Sequence, residues 1–286
     1  ETDAELVMAS DPDADRVGAA VKNNEGEWVL LNGNQTALMF VYYLITRWKE
    51  LGKINGKEYI VKTIVTTETI KTIAERNGVE MYDVYTGFKW IANVMRENEG
   101  KKNYIGGGEE SYGFLCEDFV RDKDAVSACV ILAEIAAWAK DQGLSLYQLL
   151  QKIYVEYGFS KEKGISVVKK GKSGAEEIEA MMKKFRENPL TEIAGSKVTY
   201  FYDYSTLKGK DYAENETVTL DMPTTSNVLQ YFTEDNTKVS IRPSGTEPKI
   251  KFYCEVHSKV KNIDELPEAE KAAEEKINQI KASLGI

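Results

Sequence analysis

The sequence predicts an α/β protein in three pieces. A mixed-sheet α/β domain at residues 31–158 is preceded at 1–30 by the remnant of a similar domain and followed at 165–286 by an α+β domain with an antiparallel sheet. Three observations predict this. Between Asn34 and Gly143, short strand-like runs alternate with apolar residues at helical spacing, the pattern of βαβ units. Beyond residue 190 the order changes to a run of strands bracketed by two helical segments. At the chain start, strands occur without helices.

Glu5-Leu6-Val7-Met8-Ala9 reads as a buried strand. Nothing before it supplies a sheet neighbour, and a lone strand is not stable in water, so partners from elsewhere are expected. Val17–Val21 and Trp28–Leu31 are further strands, separated by the turn residues Asn24-Glu25-Gly26. Leu38, Val41, Tyr42, Ile45 and Trp48 then define a helical face that Gly52 ends. Strands at Tyr59–Val65 and Val79–Tyr85 flank a helix that Thr67 is placed to cap and Gly78 to stop. A turn at Thr86-Gly87 opens a helix over about 89–98, and a short strand at Tyr104-Ile105 precedes three glycines. A long apolar helix starts at Asp124, and Ser145-x-x-Gln148 is a capping box for the next helix.

The lysine-rich stretch at 160–173 is expected to be a linker or an exposed strand, and Ser173-x-x-Glu176 a capping box for a helix to about Glu187. Strands are predicted near 197–204, 216–222, 226–233, 237–242 and 249–257, and an amphipathic helix from Leu266 to Leu284.

Composition narrows the function. At 286 residues with 42% apolar content there is material for about two domains. A net charge of −9 argues against a nucleic-acid partner, although a local basic pocket for a small anion remains compatible with it. The apolar helix at 125–139 is interrupted by Glu134 and too short for a bilayer, so no membrane partner is expected. Three widely spaced cysteines fit a reducing cytoplasm, the expected location. The single histidine, His257, removes Ser-His-Asp triads and multi-histidine metal sites and is itself expected to be structural.

Three segments carry chemistry. Asp11, Asp13 and Asp15, at i, i+2 and i+4 in the loop before Arg16, would repel one another unless a hard cation such as Mg²⁺ or Ca²⁺ lay between them. An EF-hand would require glycine at Arg16 and glutamate at Lys22. A solvated acidic turn is the alternative. In Gly106-Gly107-Gly108-Glu109-Glu110-Ser111, glycines would admit a ligand to the backbone, and Glu109 and Ser111 would point the same way in an extended loop, suited to sugar hydroxyls. A flexible turn is the alternative here. In Arg242-Pro243-Ser244-Gly245-Thr246-Glu247-Pro248, a guanidinium, two hydroxyls and glycine-freed amides form a donor nest suited to phosphate, against the alternative of an ordinary connecting loop.

Together with T-G-F-K at 86–89, these segments (D-P-D-A-D-R at 11–16, G-G-E-E-S-Y-G at 107–113, R-P-S-G-T-E-P at 242–248) resemble, in order and separation, the α-D-phosphohexomutases, nearest to the bacterial phosphoglucomutase/phosphomannomutase branch. The resemblance spans essentially the whole chain. It implies a four-domain enzyme interconverting hexose 1- and 6-phosphates through a phosphoserine and a bisphosphate intermediate, with Mg²⁺ as cofactor and glucose 1,6-bisphosphate as activator. It implies that Asp11, Asp13 and Asp15 are metal ligands and that Arg16 and Lys89 are catalytic groups beside the transferred phosphoryl. Glu109 and Ser111 would then bind sugar, and Arg242, Ser244, Gly245 and Thr246 the phosphate that is not transferred. No S-H-N-P serine motif occurs. The chain therefore resembles the carboxyl-terminal portion, from the end of mutase domain 2 through domains 3 and 4. Its expected partners are a hexose phosphate and the missing N-terminal domains, and it is expected to be inactive alone. A non-catalytic sugar-phosphate- or metal-binding module is the competing reading.

Overall fold

Strict alternation of buried and half-exposed positions along Val17–Lys22 puts Val17, Ala19 and Val21 on one side of a strand. The computed structural model, which describes residues 3–169, 171–245 and 247–286, builds a sheet around it. Strand β1 (Leu6–Ser10) pairs antiparallel with β2 (Val17–Lys22), which pairs antiparallel with β3 (Trp28–Leu31). The first strand thus finds a neighbour within this chain, contrary to expectation: the loop at 11–16 is short enough to return β2 directly against it.

Helix α1 (Gly33–Glu50) starts at Asn32, whose side chain accepts from Gln35 N–H while Gln35 reaches back to Asn32 N–H, a reciprocal cap. Then follow β4 (Glu58–Thr63), α2 (Thr69–Arg76), β5 (Glu80–Val84), α3 (Phe88–Asn98), β6 (Asn103–Gly108), β7 (Phe114–Cys116), α4 (Ala125–Asp141) and α5 (Leu146–Tyr157). The sheet order is β5-β4-β6-β7. Its first two pairings are parallel and the last antiparallel. Every residue of β4 is buried, as both faces of a central parallel strand should be. Tyr59, Val61 and Tyr104 pack on Phe88, Ile91 and Met95 of α3. Ile60 lies opposite Gly106 on the other face, where α1 places Leu44. Each such apolar side chain removed from water contributes roughly 1.5–3 kcal/mol.

Two local expectations change here. Thr67 does not cap α2; the preceding residue is Glu68, without a side-chain cap bond. The glycine run is no loop but the buried end of β6. It serves strand packing: a Cβ on Gly107 would lie 2.3 Å from the Val61 carbonyl oxygen. Asp124 and Ser145 cap α4 and α5 as expected.

These elements, Glu1–Gly158 with Lys261–Ile263, form one compact unit; Phe159–Val260 with Asp264–Ile286 form a second. Within the first, α4 packs on β1 and β2 and α5 on β2. The second holds β8 (Phe159–Val168), α6 (Gly171–Glu187), β9 (Glu192–Ile193), β10 (Ser196–Asp203), β11 (Lys208–Asp211), β12 (Glu216–Thr219), β13 (Leu229–Thr233), β14 (Lys238–Pro243), β15 (Lys249–Ser258) and α7 (Leu266–Leu284).

Its antiparallel sheet runs β12-β11-β10-β13-β14-β15-β8, with β9 beside β10. The lysine-rich stretch is the edge strand β8, paired along its whole length with β15. Lysines on an edge discourage a further strand from adding. Helix α6 starts at Gly171 (φ 77°), so Ser173 lies inside it rather than capping it. The left-handed glycine turns the chain into the helix two residues earlier than the serine signal implied. Strand β11 went unpredicted because Lys208–Asp211 carries no apolar alternation. His257 is structural: its Nε2 is 2.7 Å from Glu255 Oε1, and Lys238 Nζ is 2.9 Å from the other oxygen. Burial would push the His257 pKa down, but Glu255 overrides this and raises it. Among the described residues no helix is long and apolar enough to cross a membrane, and all three cysteines are free.

Candidate active-site loops

The acidic loop is closed on itself. Asp11 N–H donates to the Arg16 carbonyl (3.2 Å), and Ala14, at φ 56°, donates its N–H to the Asp11 carbonyl (3.0 Å). Asp11 Oδ1 accepts the N–H groups of Asp15 (3.1 Å) and Arg16 (3.2 Å). Loss of solvent would raise the Asp11 pKa, but these donors, and Arg16 after them, hold it below the ordinary carboxylate value. Asp13 is exposed. Asp15 turns the other way: its Oδ2 is 2.7 Å from Lys123 Nζ and its Oδ1 is 3.6 Å from Arg16 Nε.

The three carboxylates therefore do not converge as their spacing suggested. Among the described residues, no group of three or more His, Cys, Asp or Glu side chains is arranged to hold a metal ion. The backbone donors claim Asp11 and the Lys123 ammonium claims Asp15. The donor chemistry nevertheless suits a hard cation, because the loop offers three carboxylates and Asp15 Oδ1 is buried with no hydrogen bond of its own.

The turn after the glycines is bolted to this loop. Arg16 bridges Gly113 in an antiparallel step, and Val17 N–H donates to the Tyr112 carbonyl (3.2 Å). The turn is not extended. Glu109 N–H donates to the Gly113 carbonyl (2.8 Å) and Tyr112 sits at φ 72°, closing the β6–β7 hairpin. Glu109 is 7% exposed, whereas Ser111 is half-buried, so the two do not form the parallel pair that an extended chain would give.

Glu109 Oε1 instead accepts the N–H of Gly87 (2.7 Å), the residue that caps α3. An anion at a helix N-terminus is favourable by about 0.3–1 kcal/mol. Lys89 sits in the first turn of that helix, where a cation is disfavoured, with its Nζ 4.9 Å from the Trp90 ring. Glu109 thus fixes the turn that carries Lys89. D-P-D-A-D-R, T-G-F-K and G-E-E-S-Y-G consequently form one connected constellation within the first unit.

The second unit holds the remaining motif. Arg242 lies in β14 opposite Lys251, half-buried, with no hydrogen bond or ion pair among the described residues. Ser244 N–H donates to the Lys249 carbonyl (2.8 Å), and Ser244 Oγ accepts the Glu247 N–H (3.3 Å). Gly245 is exposed, Lys249 pairs with Glu247, and Thr246 lies outside the described residues.

Lys123 and the Gly87 contact of Glu109 escaped the sequence reading. The only signal for Lys123 was a lone cation between Asp122 and Asp124 in a segment read as a helix entrance.

Residues 32–157 match the model of phosphoglucomutase/phosphomannomutase alpha/beta/alpha domain III, and residues 167–273 match that of the family's C-terminal domain. The chain belongs to the phosphoglucomutase/phosphomannomutase family. It is 38% identical over 263 residues to the phosphoglucomutase of Staphylococcus aureus (strain USA300), covering 92% of this chain and 46% of that protein. It is 33% identical over 257 residues to the phosphoglucomutase of Staphylococcus haemolyticus, covering 90% and 46%. The chain thus spans about half the length of the curated relatives it matches. In fold it is similar to a putative phosphomannomutase from Thermus thermophilus (TM-score 0.59, 20% identity, 96% of this chain and 47% of that one). It is similar also to the open form of the phosphoglucomutase pp63/parafusin from Paramecium (TM-score 0.58, 17% identity, 99% and 46%).

Proposed function

We propose that this chain is the sugar- and phosphate-binding part of a phosphohexomutase that interconverts hexose 1-phosphate and 6-phosphate in the cytoplasm. The observation that carries the reading is the connected constellation in the first unit: the acidic loop joined to the sugar-type turn through Arg16–Gly113, and that turn joined to the Lys89 helix through Glu109.

In this mechanism a serine outside the chain, in domains that precede it, gives its phosphoryl group to one hydroxyl of a hexose monophosphate. As the serine O–P bond breaks and the bond to the hydroxyl forms, the hydroxyl proton ends on the serine oxygen; Lys89 and Arg16 would serve in general acid/base catalysis or charge stabilisation, Arg16 through its charge because its guanidinium stays protonated. The bisphosphate, also the activator in its glucose 1,6 form, reverses in the site, and the other phosphoryl group returns to the serine. Arg242, Ser244, Gly245 and Thr246 hold the phosphate that stays, with Arg242 donating in fork geometry. Glu109 through its second oxygen, and Ser111, bond the sugar hydroxyls. A Mg²⁺ held by Asp11, Asp13 and Asp15 would neutralise charge on the phosphoryl group. Catalysis of this kind is mostly positioning and electrostatics.

The test is a coupled mutase assay of the longer parent protein with glucose 1-phosphate and mannose 1-phosphate, beside calorimetry of this chain with glucose 1-phosphate. Turnover by the parent and binding without turnover by this chain is the expected result. A parent that binds but never turns over would make the protein a non-catalytic binding module. Turnover by this chain alone would remove the need for a serine elsewhere.

A further inference from the structure

Glu110 stands between the two residues that would bind sugar, yet its N–H and one carboxylate oxygen turn inward, to the connection between β4 and α2. The N–H donates to Thr66 Oγ1 (3.2 Å), and Thr63 Oγ1 donates to Glu110 Oε2 (3.3 Å). The two hydroxyls lie 2.8 Å apart, and both threonines are fully buried. The proton count sets the direction of each bond. A carboxylate only accepts, so the Thr63 proton goes to Glu110. The Thr66 proton then goes to Thr63, and the Thr66 oxygen takes the Glu110 N–H. Three hydrogen bonds thus close a ring that begins and ends on one residue, and bonds in such a ring polarise one another. The platform beneath the ring is itself fixed. Lys62, 1% exposed, holds its ammonium 2.7 Å from Asp83 of β5 and 2.9 Å from Glu68. Thr67 N–H donates to Asn34 Oδ1 (3.0 Å) at the start of α1. There a Cβ on Gly33 would lie 2.7 Å from the Glu110 carbonyl carbon and from the Tyr112 nitrogen, so α1 packs directly on the backbone of the turn.

We propose that Glu110 is a positioning residue of the sugar site: its ring with Thr63 and Thr66 locks the turn, so that Glu109 and Ser111 are oriented for hydroxyls before a ligand arrives. The inference rests on the sugar-binding reading of Glu109 and Ser111. Glu109 has an anchor of its own at Gly87. Ser111 is placed by the backbone on either side of it, which belongs to Glu110 and Tyr112. Tyr112 sits at φ 72°, a region that a residue with a side chain does not favour, so a turn without the ring would sample other conformers. Ordering those conformers on binding would cost affinity, and the ring transfers that cost from binding to folding. The role needs no contact between Glu110 and sugar. Thr66, with no exposed surface, can act on a ligand only through the turn.

The test is glucose 1-phosphate binding to the intact 286-residue chain, read by calorimetry. Glu110→Ala is expected to weaken binding about tenfold, the scale of one charge-assisted hydrogen bond. Glu110→Gln, which keeps an acceptor oxygen for Thr63, should stay within about twofold of wild type. Thr66→Val, of the same shape and out of reach of any ligand, should weaken binding about fivefold; it decides the matter if Glu110→Ala does not fold. The double variant Glu110→Ala/Thr66→Val should bind within about twofold of Glu110→Ala, because the ring is already open. Wild-type binding in Glu110→Ala or in Thr66→Val overturns the proposal. So does full additivity in the double variant, which would make Glu110 a direct sugar ligand, and so does a loss in Glu110→Gln as large as that in Glu110→Ala. Ser111→Ala separates the two layers. If it binds as wild type does, or if the wild-type chain binds no glucose 1-phosphate, the sugar-binding reading of the turn fails and the proposal with it. If Ser111→Ala weakens binding while the Glu110 and Thr66 variants bind as wild type, only the positioning role fails.

Discussion

The two candidate binding loops are held in opposite ways. The turn at 109–113 is tied on every side: to the acidic loop through Gly113 and Tyr112, to α3 through Glu109, and to the Lys123 stem through Gly113. The loop at 242–248 is closed mostly by its own backbone and by the Glu247–Lys249 pair, and its strongest donor, Arg242, is uncommitted among the described residues. A carboxylate that must orient hydroxyls gains from being fixed in advance. A guanidinium that must capture a phosphate gains from being left without a protein anion, since any such partner would compete with the ligand. On this contrast, substitutions in the first loop should register as lost stability and substitutions in the second as lost binding.

The strongest way to break the contrast is Gly107→Ala. The new methyl would meet the Val61 carbonyl at 2.3 Å, and neither backbone can yield cheaply. A loss of about 3 kcal/mol is expected by chemical denaturation of the first unit's transition; a neutral result would show the β4–β6 approach to be adjustable.

Next is Glu109→Ala, which leaves the Gly87 N–H without its acceptor. It should cost roughly 1.5–3 kcal/mol and speed hydrogen exchange at Gly87 and Trp90, while Glu109→Gln, which keeps an acceptor oxygen, should restore much of the protection. Equal exchange in Glu109→Ala and wild type would mean that the turn does not hold α3.

A smaller effect belongs to the second unit, where charge is committed to structure rather than to a ligand. The raised pKa of His257 means that its pairing with Glu255 stabilises the fold fully below the ordinary histidine value of 6.5 and that this share is lost as pH rises through the elevated folded value. Denaturation midpoints should therefore fall with rising pH across that window, and the fall should vanish in His257→Gln. A rise with pH would reverse the assigned sign.

The smallest expected stability change is that of Arg242→Ala, within about 0.5 kcal/mol, because among the described residues the side chain makes no hydrogen bond or ion pair to lose. The same variant should weaken glucose 1-phosphate binding about tenfold by calorimetry. Stability lost with binding unchanged would make Arg242 a structural residue and erase the difference between the loops.

Much of this was legible in the chain. Helices with strong punctuation, such as those capped by Asp124 and Ser145, fell where their capping chemistry put them. So did α7, whose apolar spacing is sustained over five turns. The misplaced features share a cause. Gly106–Gly108 read as a ligand-accessible loop because glycine freedom looks the same in sequence whether it serves a turn or a close strand contact. Asp11, Asp13 and Asp15 read as a converging set because spacing along a loop does not say which backbone donors or which distant lysine will claim each carboxylate.

The amino-acid order by itself determined the strand–helix alternation of the first unit, the antiparallel character of the second and the four motifs that mark the family, because propensity, capping and periodicity act over a few neighbouring residues. Only the tertiary structure decided that residue 123 meets residue 15, that residue 109 holds residue 87 and that residue 16 bridges residue 113. Those pairs are separated by 22 to 108 positions, and what brings them together is packing within the first unit, α3 on β4 and β6 and α4 on both β1 and β7, rather than any preference written near either partner.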